Sequence, residues 1–129
     1  MGDWKGYKHI SAWGSSYSAS LSLRLAAEHS EIKAVLAFYP GEYFDKPRVV
    51  ANWARKVKVP TLMTFTEEDR RHEGNALFAL LGMQQHTTIV SFPRGIHGSS
   101  TLREDINPKG CAEYWAATKR FILVNSAPE

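Results

Sequence analysis

A continuous apolar run at residues 34–38 restricts the fold more than any other feature of this chain. It reads Ala-Val-Leu-Ala-Phe and lies between Lys33 and a Tyr39-Pro40-Gly41 turn. A strand with apolar side chains on both faces must be covered on both faces, as in parallel sheets flanked by helices. We therefore expect residues 33–39 to form an inner strand of an α/β fold.

The rest of the pattern alternates in the same way. Further strands are predicted at residues 9–13, 61–65 and 87–92, and apolar residues at helical spacing lie between them and after the last one. The predicted helices run from Tyr17 to about His29, across Val49, Val50, Trp53 and Val57, across Ala76, Leu77, Leu80 and Leu81, and after Pro108 along Cys111, Tyr114, Trp115, Thr118, Phe121 and Ile122. This predicts a three-layer α/β/α fold with a mainly parallel four-stranded sheet. No linker or repeat divides the chain, so residues 1–129 are expected to form one domain.

Composition excludes several classes of function. The net charge is only +3 and the charges are dispersed, which argues against nucleic-acid binding. No apolar stretch approaches the length of a membrane span or forms a signal core. Cys111 is the single cysteine, which fits a reducing, cytoplasmic compartment. The histidines lack metal-ligand spacing and no glycine-rich phosphate loop follows a strand, so we expect no metal and no cofactor.

The junction of the first strand and first helix carries the sequence Gly14-Ser15-Ser16-Tyr17-Ser18. It is a near-match to the nucleophile elbow G-x-S-x-G, in which a serine is exposed on a sharp turn between a strand and a helix. Ser16 would occupy the tip of that turn. The alternative is that Ser16 is an ordinary serine that caps the helix.

Two further clusters follow the third and fourth predicted strands. The third strand leads into Thr66-Glu67-Glu68-Asp69, and the fourth leads into Gly95-Ile96-His97-Gly98. Because the carboxyl ends of parallel strands meet at one edge of the sheet, these clusters are expected near Ser16. A serine needs a base such as histidine to take its proton, and a carboxylate to orient that base. The alternative is a solvated acidic loop and an ordinary loop histidine.

On these motifs the chain resembles the C-terminal half of an α/β-hydrolase of the dienelactone-hydrolase and small-esterase branch. The chain order serine, acid, histidine is the order of that superfamily. The resemblance implies that Ser16 is the nucleophile, Asp69 the orienting acid and His97 the general base. Glu68 and Glu67 compete with Asp69 for its role. The backbone N–H of Tyr17 would be one oxyanion donor.

Two residues depart from the family pattern. Ser18 stands where a glycine usually allows close packing, and Thr66 stands where a glycine often precedes the acid loop. Neither departure removes a reacting group. Residues 41–44, which follow the second strand, either line the pocket or simply pack a loop.

The resemblance covers strands five to eight of a sheet of about eight strands. The loop that normally supplies the second oxyanion donor would precede this half. We therefore expect a serine hydrolase acting on a small ester or related acyl substrate, whose activity the missing N-terminal half could impair. A binding or assembly module that retains the triad residues is the alternative. An unpaired first strand at residues 9–13 predicts a homodimer through antiparallel edge pairing or through helices.

Overall fold

A computed structural model of the chain describes residues 9–67 and 84–125. The elements in these residues are β1 Ile10–Ser15, α1 Tyr17–Glu28, β2 Ile32–Phe38, α2 Val49–Lys56, β3 Thr61–Thr64, β4 Thr87–Val90, a 3₁₀ helix Gly98–Leu102 and α3 Cys111–Asn125. The helix predicted across residues 76–81 lies outside the described residues, as does Asp69. The alternation predicted from the sequence is confirmed for the elements that are described.

Within residues 9–67 and 84–125, four strands form one parallel sheet in the order β1-β2-β3-β4. Leu36 in β2 lies opposite Trp13 on one side and Leu62 on the other. This confirms the inner position expected for the apolar run. The strand β1 continues to Ser15, two residues beyond the predicted end, so the extended chain runs directly into Ser16.

Two apolar clusters cover the two faces of β2. Val35 and Ala37 belong to a cluster shared with Leu23 of α1 and Val50 of α2. Ala34, Leu36 and Phe38 belong to the other cluster, which includes Tyr114 and Phe121 of α3. Successive side chains of a strand point to opposite faces, so this division places α1 and α2 on one side of the sheet and α3 on the other. The arrangement is the predicted three-layer α/β/α fold.

In the part of the chain that the structure describes, no helix has both the length and the apolar character required to cross a bilayer.

The Cys111 side chain is buried at the start of α3, in agreement with its place in the predicted apolar stripe.

Candidate active site

Ser16 lies alone between the last residue of β1 and the first residue of α1. Its backbone has φ 58° and ψ −117°, a conformation that costs a residue with a Cβ about 1–3 kcal/mol. The Ser16 N–H donates a 2.8 Å hydrogen bond to the Phe38 carbonyl at the end of β2. The neighbouring strand therefore holds the strained turn in place. This is the strand–turn–helix context that the elbow motif requires.

Close packing at the elbow depends on Gly14. A Cβ built on Gly14 would overlap the backbone carbonyl of Ser18. The Ser18 hydroxyl turns back onto the elbow instead, where it accepts a hydrogen bond from the Ser15 N–H at 2.8 Å and donates one to the Ser15 carbonyl at 2.9 Å. A serine is therefore tolerated at the position where the family pattern has a glycine, because its side chain replaces a turn hydrogen bond and leaves the gap between strand and helix free.

The Ser16 side chain makes no capping hydrogen bond to α1. Its Oγ lies 2.8 Å from Nε2 of His97, on the loop between β4 and the 3₁₀ helix. The structure thus brings together two residues that are far apart in the chain but were both expected at this edge of the sheet. At this distance a neutral imidazole can accept the hydroxyl proton directly.

Ser15 ties the histidine loop to the elbow. Its Oγ accepts a 2.8 Å hydrogen bond from the Ser99 N–H, two residues beyond His97. Between them, Gly98 has φ 68°, and a Cβ on it would lie 2.5 Å from the Ser15 Oγ. The loop approaches β1 this closely only because residue 98 is glycine. The contact fixes the distance between the two loops that carry Ser16 and His97.

An aromatic ring supports the imidazole from the side. The Tyr39 and His97 ring centroids are 3.8 Å apart, with the planes at 63°. Tyr39 has φ 69°, which is uncommon for a bulky side chain, and its N–H donates to the Thr64 carbonyl at 2.9 Å. The strained backbone at the end of β2 therefore places the ring against the histidine.

The Tyr114 hydroxyl links the ends of β3 and β4 beneath the site. It accepts a hydrogen bond from the Phe92 N–H at 3.0 Å and lies 3.2 and 3.3 Å from the carbonyl oxygens of Phe92 and Phe65. The predicted acid loop begins just after Phe65, and the histidine loop begins just after Phe92. Burial raises the pKa of the Tyr114 phenol above its ordinary value of 10.0. The neutral hydroxyl is therefore the form that the fold stabilises.

Two of the predicted roles in the site, that of the orienting acid and that of the oxyanion donor, stay predictions. Asp69 and its competitor Glu68 lie outside the described residues, whereas Glu67 follows β3 at the same sheet edge. The identity of the acid stays a prediction.

Tyr17 is the first residue of α1, where backbone N–H groups have no acceptor within the helix and the helix dipole is positive. Its role as an oxyanion donor also stays a prediction.

Tyr43 lies in the loop after β2, within the segment 41–44 that the sequence offered as either a pocket wall or a packed loop, without a role for this residue. Its hydroxyl is 3.5 Å from the Ser16 Oγ and 3.3 Å from the Tyr39 carbonyl oxygen. The only signal in the sequence was that residues 41–44 follow a strand adjacent to β1, at the carboxyl edge where sites form.

Among residues 9–67 and 84–125, no three or more His, Cys, Asp or Glu side chains are grouped so as to hold a metal ion.

Comparison with solved structures gives a protein of the same fold. An esterase of Pyrococcus furiosus has a similar structure, with a TM-score of 0.66 and 14% sequence identity. The match covers 93% of this chain but only 55% of the esterase chain, so the chain spans about half of that protein. At this identity the likeness shows the fold alone.

A comparison with curated proteins gives no match. The model of the dienelactone hydrolase family, in contrast, matches residues 5–124, nearly the whole of the 129-residue chain. The chain therefore belongs to the dienelactone hydrolase family.

Proposed function

We propose that the protein is a serine hydrolase that cleaves small esters or related acyl compounds. The observation that carries this proposal is the 2.8 Å separation of the Ser16 Oγ and His97 Nε2 on a strained strand-to-helix turn. Backbone strain of this kind persists only where surrounding contacts hold it, and it is concentrated at functional sites. Membership of a hydrolase family supports the same proposal.

In the proposed reaction, the Ser16 Oγ attacks the acyl carbon while His97 Nε2 takes its proton. The carbonyl oxygen becomes an oxyanion, to which the Tyr17 N–H donates. Collapse breaks the bond to the leaving alcohol, which receives the proton from His97, and leaves an acyl-serine. Water activated by His97 then attacks this ester and releases the acid. Asp69 is the proposed partner that holds the imidazole in the required tautomer.

A binding module that retains these residues without turnover is the competing proposal. A fluorophosphonate probe separates the two, because it reacts only with an activated serine. We expect labelling of the wild type, loss of labelling in Ser16→Ala and His97→Gln, and unchanged labelling in Ser11→Ala. Ser11 is a matched control, since it is an exposed serine of the same strand. A folded wild-type protein that resists the probe would favour the binding module.

We also propose that the protein acts as a homodimer in the cytoplasm, on a small-molecule substrate and without nucleic acid or membrane partners. Within residues 9–67 and 84–125, β1 pairs with β2 on one side and with no strand on the other. Its Trp13 side chain is 49% exposed. Unpaired strand edges with apolar side chains readily take up another strand, and a two-fold axis would pair two copies of β1 in antiparallel fashion.

A further inference from the structure

The loop between β2 and α2 holds the Tyr43 hydroxyl next to the proposed nucleophile. The hydroxyl lies 3.5 Å from the Ser16 Oγ, whereas its hydrogen bond to the Tyr39 carbonyl is long, at 3.3 Å. The side chain is 41% exposed, so a substrate can reach it from solvent. The Tyr114 hydroxyl, by contrast, is buried and bonded to the backbone of Phe92, two residues after β4. Tyr43 is thus neither buried nor tightly bonded to the backbone, as a tyrosine that stabilises the fold would be.

The two residues before Tyr43 are firmly anchored. The Ser20 hydroxyl of α1 accepts a hydrogen bond from the Gly41 N–H at 3.0 Å and donates one to the Gly41 carbonyl at 2.7 Å. The Glu42 carboxylate accepts hydrogen bonds from the Val50 and Ala51 N–H groups at 3.0 and 2.8 Å, which caps α2. Because both anchors are close to Tyr43, the loop sets where its ring can lie.

Packing fixes the ring further. A Cβ on Gly41 would lie 3.0 Å from the Tyr43 Cζ, so the absence of a side chain there makes room for the ring. Tyr17 lies on another side, with its ring centroid 6.4 Å away. Phe44, the next residue, packs against Tyr17 at 5.0 Å and against Trp53 at 5.1 Å. The hydroxyl of Tyr43 is therefore presented at the elbow by a preorganised support.

We propose that the Tyr43 O–H is the second donor to the oxyanion, beside the Tyr17 N–H. This inference rests on the proposed serine hydrolase function. Before reaction, the Tyr43 O–H donates to the Tyr39 carbonyl, and the Ser16 Oγ lies 2.8 Å from His97 Nε2 and 3.5 Å from the Tyr43 oxygen, to which its O–H can also donate. When Oγ bonds to the acyl carbon, the oxyanion forms on that same carbon, within reach of a hydroxyl 3.5 Å from Oγ. Effective donors lie about 2.7–3.1 Å from the oxyanion.

The step is a hydrogen bond and not a proton transfer. The phenol keeps its proton, the long bond to Tyr39 weakens, and a shorter bond to a full negative charge replaces it. A hydrogen bond to a charged acceptor is about twice as strong as a neutral one. The interaction is therefore stronger in the transition state than in the ground state, which is the condition for a catalytic contribution.

The test is the Tyr43→Phe variant, which keeps the ring and removes only the oxygen. We expect kcat for p-nitrophenyl acetate to fall about 10- to 100-fold, near the lower end of the effect of losing an oxyanion donor, with KM almost unchanged. Binding of phenylboronic acid, which forms a tetrahedral adduct with an active serine, should weaken by a similar factor. Trp115→Phe is the matched control, because it removes a hydrogen-bond donor from an aromatic side chain of α3 that bonds to the Leu102 carbonyl and not to the elbow; it should leave kcat and boronate binding unchanged.

The possible outcomes separate this inference from the function on which it rests. If the wild type is active and Tyr43→Phe has the same kcat and boronate affinity, the inference is wrong and the proposed function stands. If Tyr43→Phe raises KM alone, Tyr43 is part of the substrate-binding wall and the inference is also wrong. If the wild type neither turns over ester nor reacts with a fluorophosphonate, the proposed function fails and this inference fails with it.

Discussion

The contact between Ser15 and Gly98 yields a prediction for unfolding free energies in a double-mutant cycle. Ser15→Ala removes the acceptor of the Ser99 N–H. Ser99 is exposed, so water replaces the lost partner and the cost should be about 0.5–1.5 kcal/mol. Gly98→Ala should cost more, for two independent reasons. The positive φ costs about 1–2 kcal/mol, and the new methyl, 2.5 Å from the Ser15 Oγ, adds about 1–3 kcal/mol of overpacking.

In the double variant, the overlap disappears because the oxygen that caused it has been removed. The nearest remaining Ser15 atom to the new methyl is Cβ, at an ordinary 3.8 Å. The double variant should therefore be more stable than the sum of the single effects predicts, by about 1–3 kcal/mol. Equilibrium urea unfolding followed by circular dichroism measures all four proteins. Costs that add to within about 0.5 kcal/mol would refute the reasoning, because distant, independent sites behave in that way.

Three further predictions concern Tyr114, Glu42 and assembly. Burial raises the pKa of Tyr114 above 10.0, so this phenol ionises first in the unfolded chain, and the stability that it contributes is present below about pH 10 and lost as the pH rises above it. Tyr114→Phe should therefore be less stable at pH 7, and its unfolding free energy in urea should fall less steeply at alkaline pH. Glu42→Ala should lower the unfolding free energy by about 1–2 kcal/mol, because α2 loses both capping bonds, whereas Glu31→Ala, at an exposed position before β2, should change it by less than about 0.5 kcal/mol. Sedimentation equilibrium at micromolar concentration should show a dimer that Trp13→Asp weakens; a stable monomer would contradict the proposed edge pairing.

The sequence predicted those features of the fold and site that follow from local hydrophobicity and from the order of residues along the chain. The apolar side chains of residues 34–38 could be buried only if other elements packed on both faces of the strand. In the structure, α1 and α2 pack on one face and α3 packs on the other. The chain order of Ser16 and His97 on parallel strands was enough to predict that they meet. Neither inference needed knowledge of how side chains pack.

The contacts that set the distances in the site could not be predicted in this way. Nothing in the sequence indicates that Ser15 and Ser99 meet, and their bond exists only because Gly98 permits a close approach. Tyr43 reaches Ser16 through the combined effect of two anchors on other elements, Ser20 and the N-terminus of α2. Each of these contacts joins residues that carry no local signal for one another. The acid, Asp69, remains predicted from its place after β3.

The position of Tyr114 in the chain has a consequence for the order in which the site is completed during synthesis. The loops after β3 and β4 precede α3 in the chain, so the ribosome makes both before the residue whose hydroxyl joins their starting points. The hydrogen bonds that join the ends of β3 and β4 therefore form late, when α3 docks. Maturation of the site is in this way linked to completion of the fold.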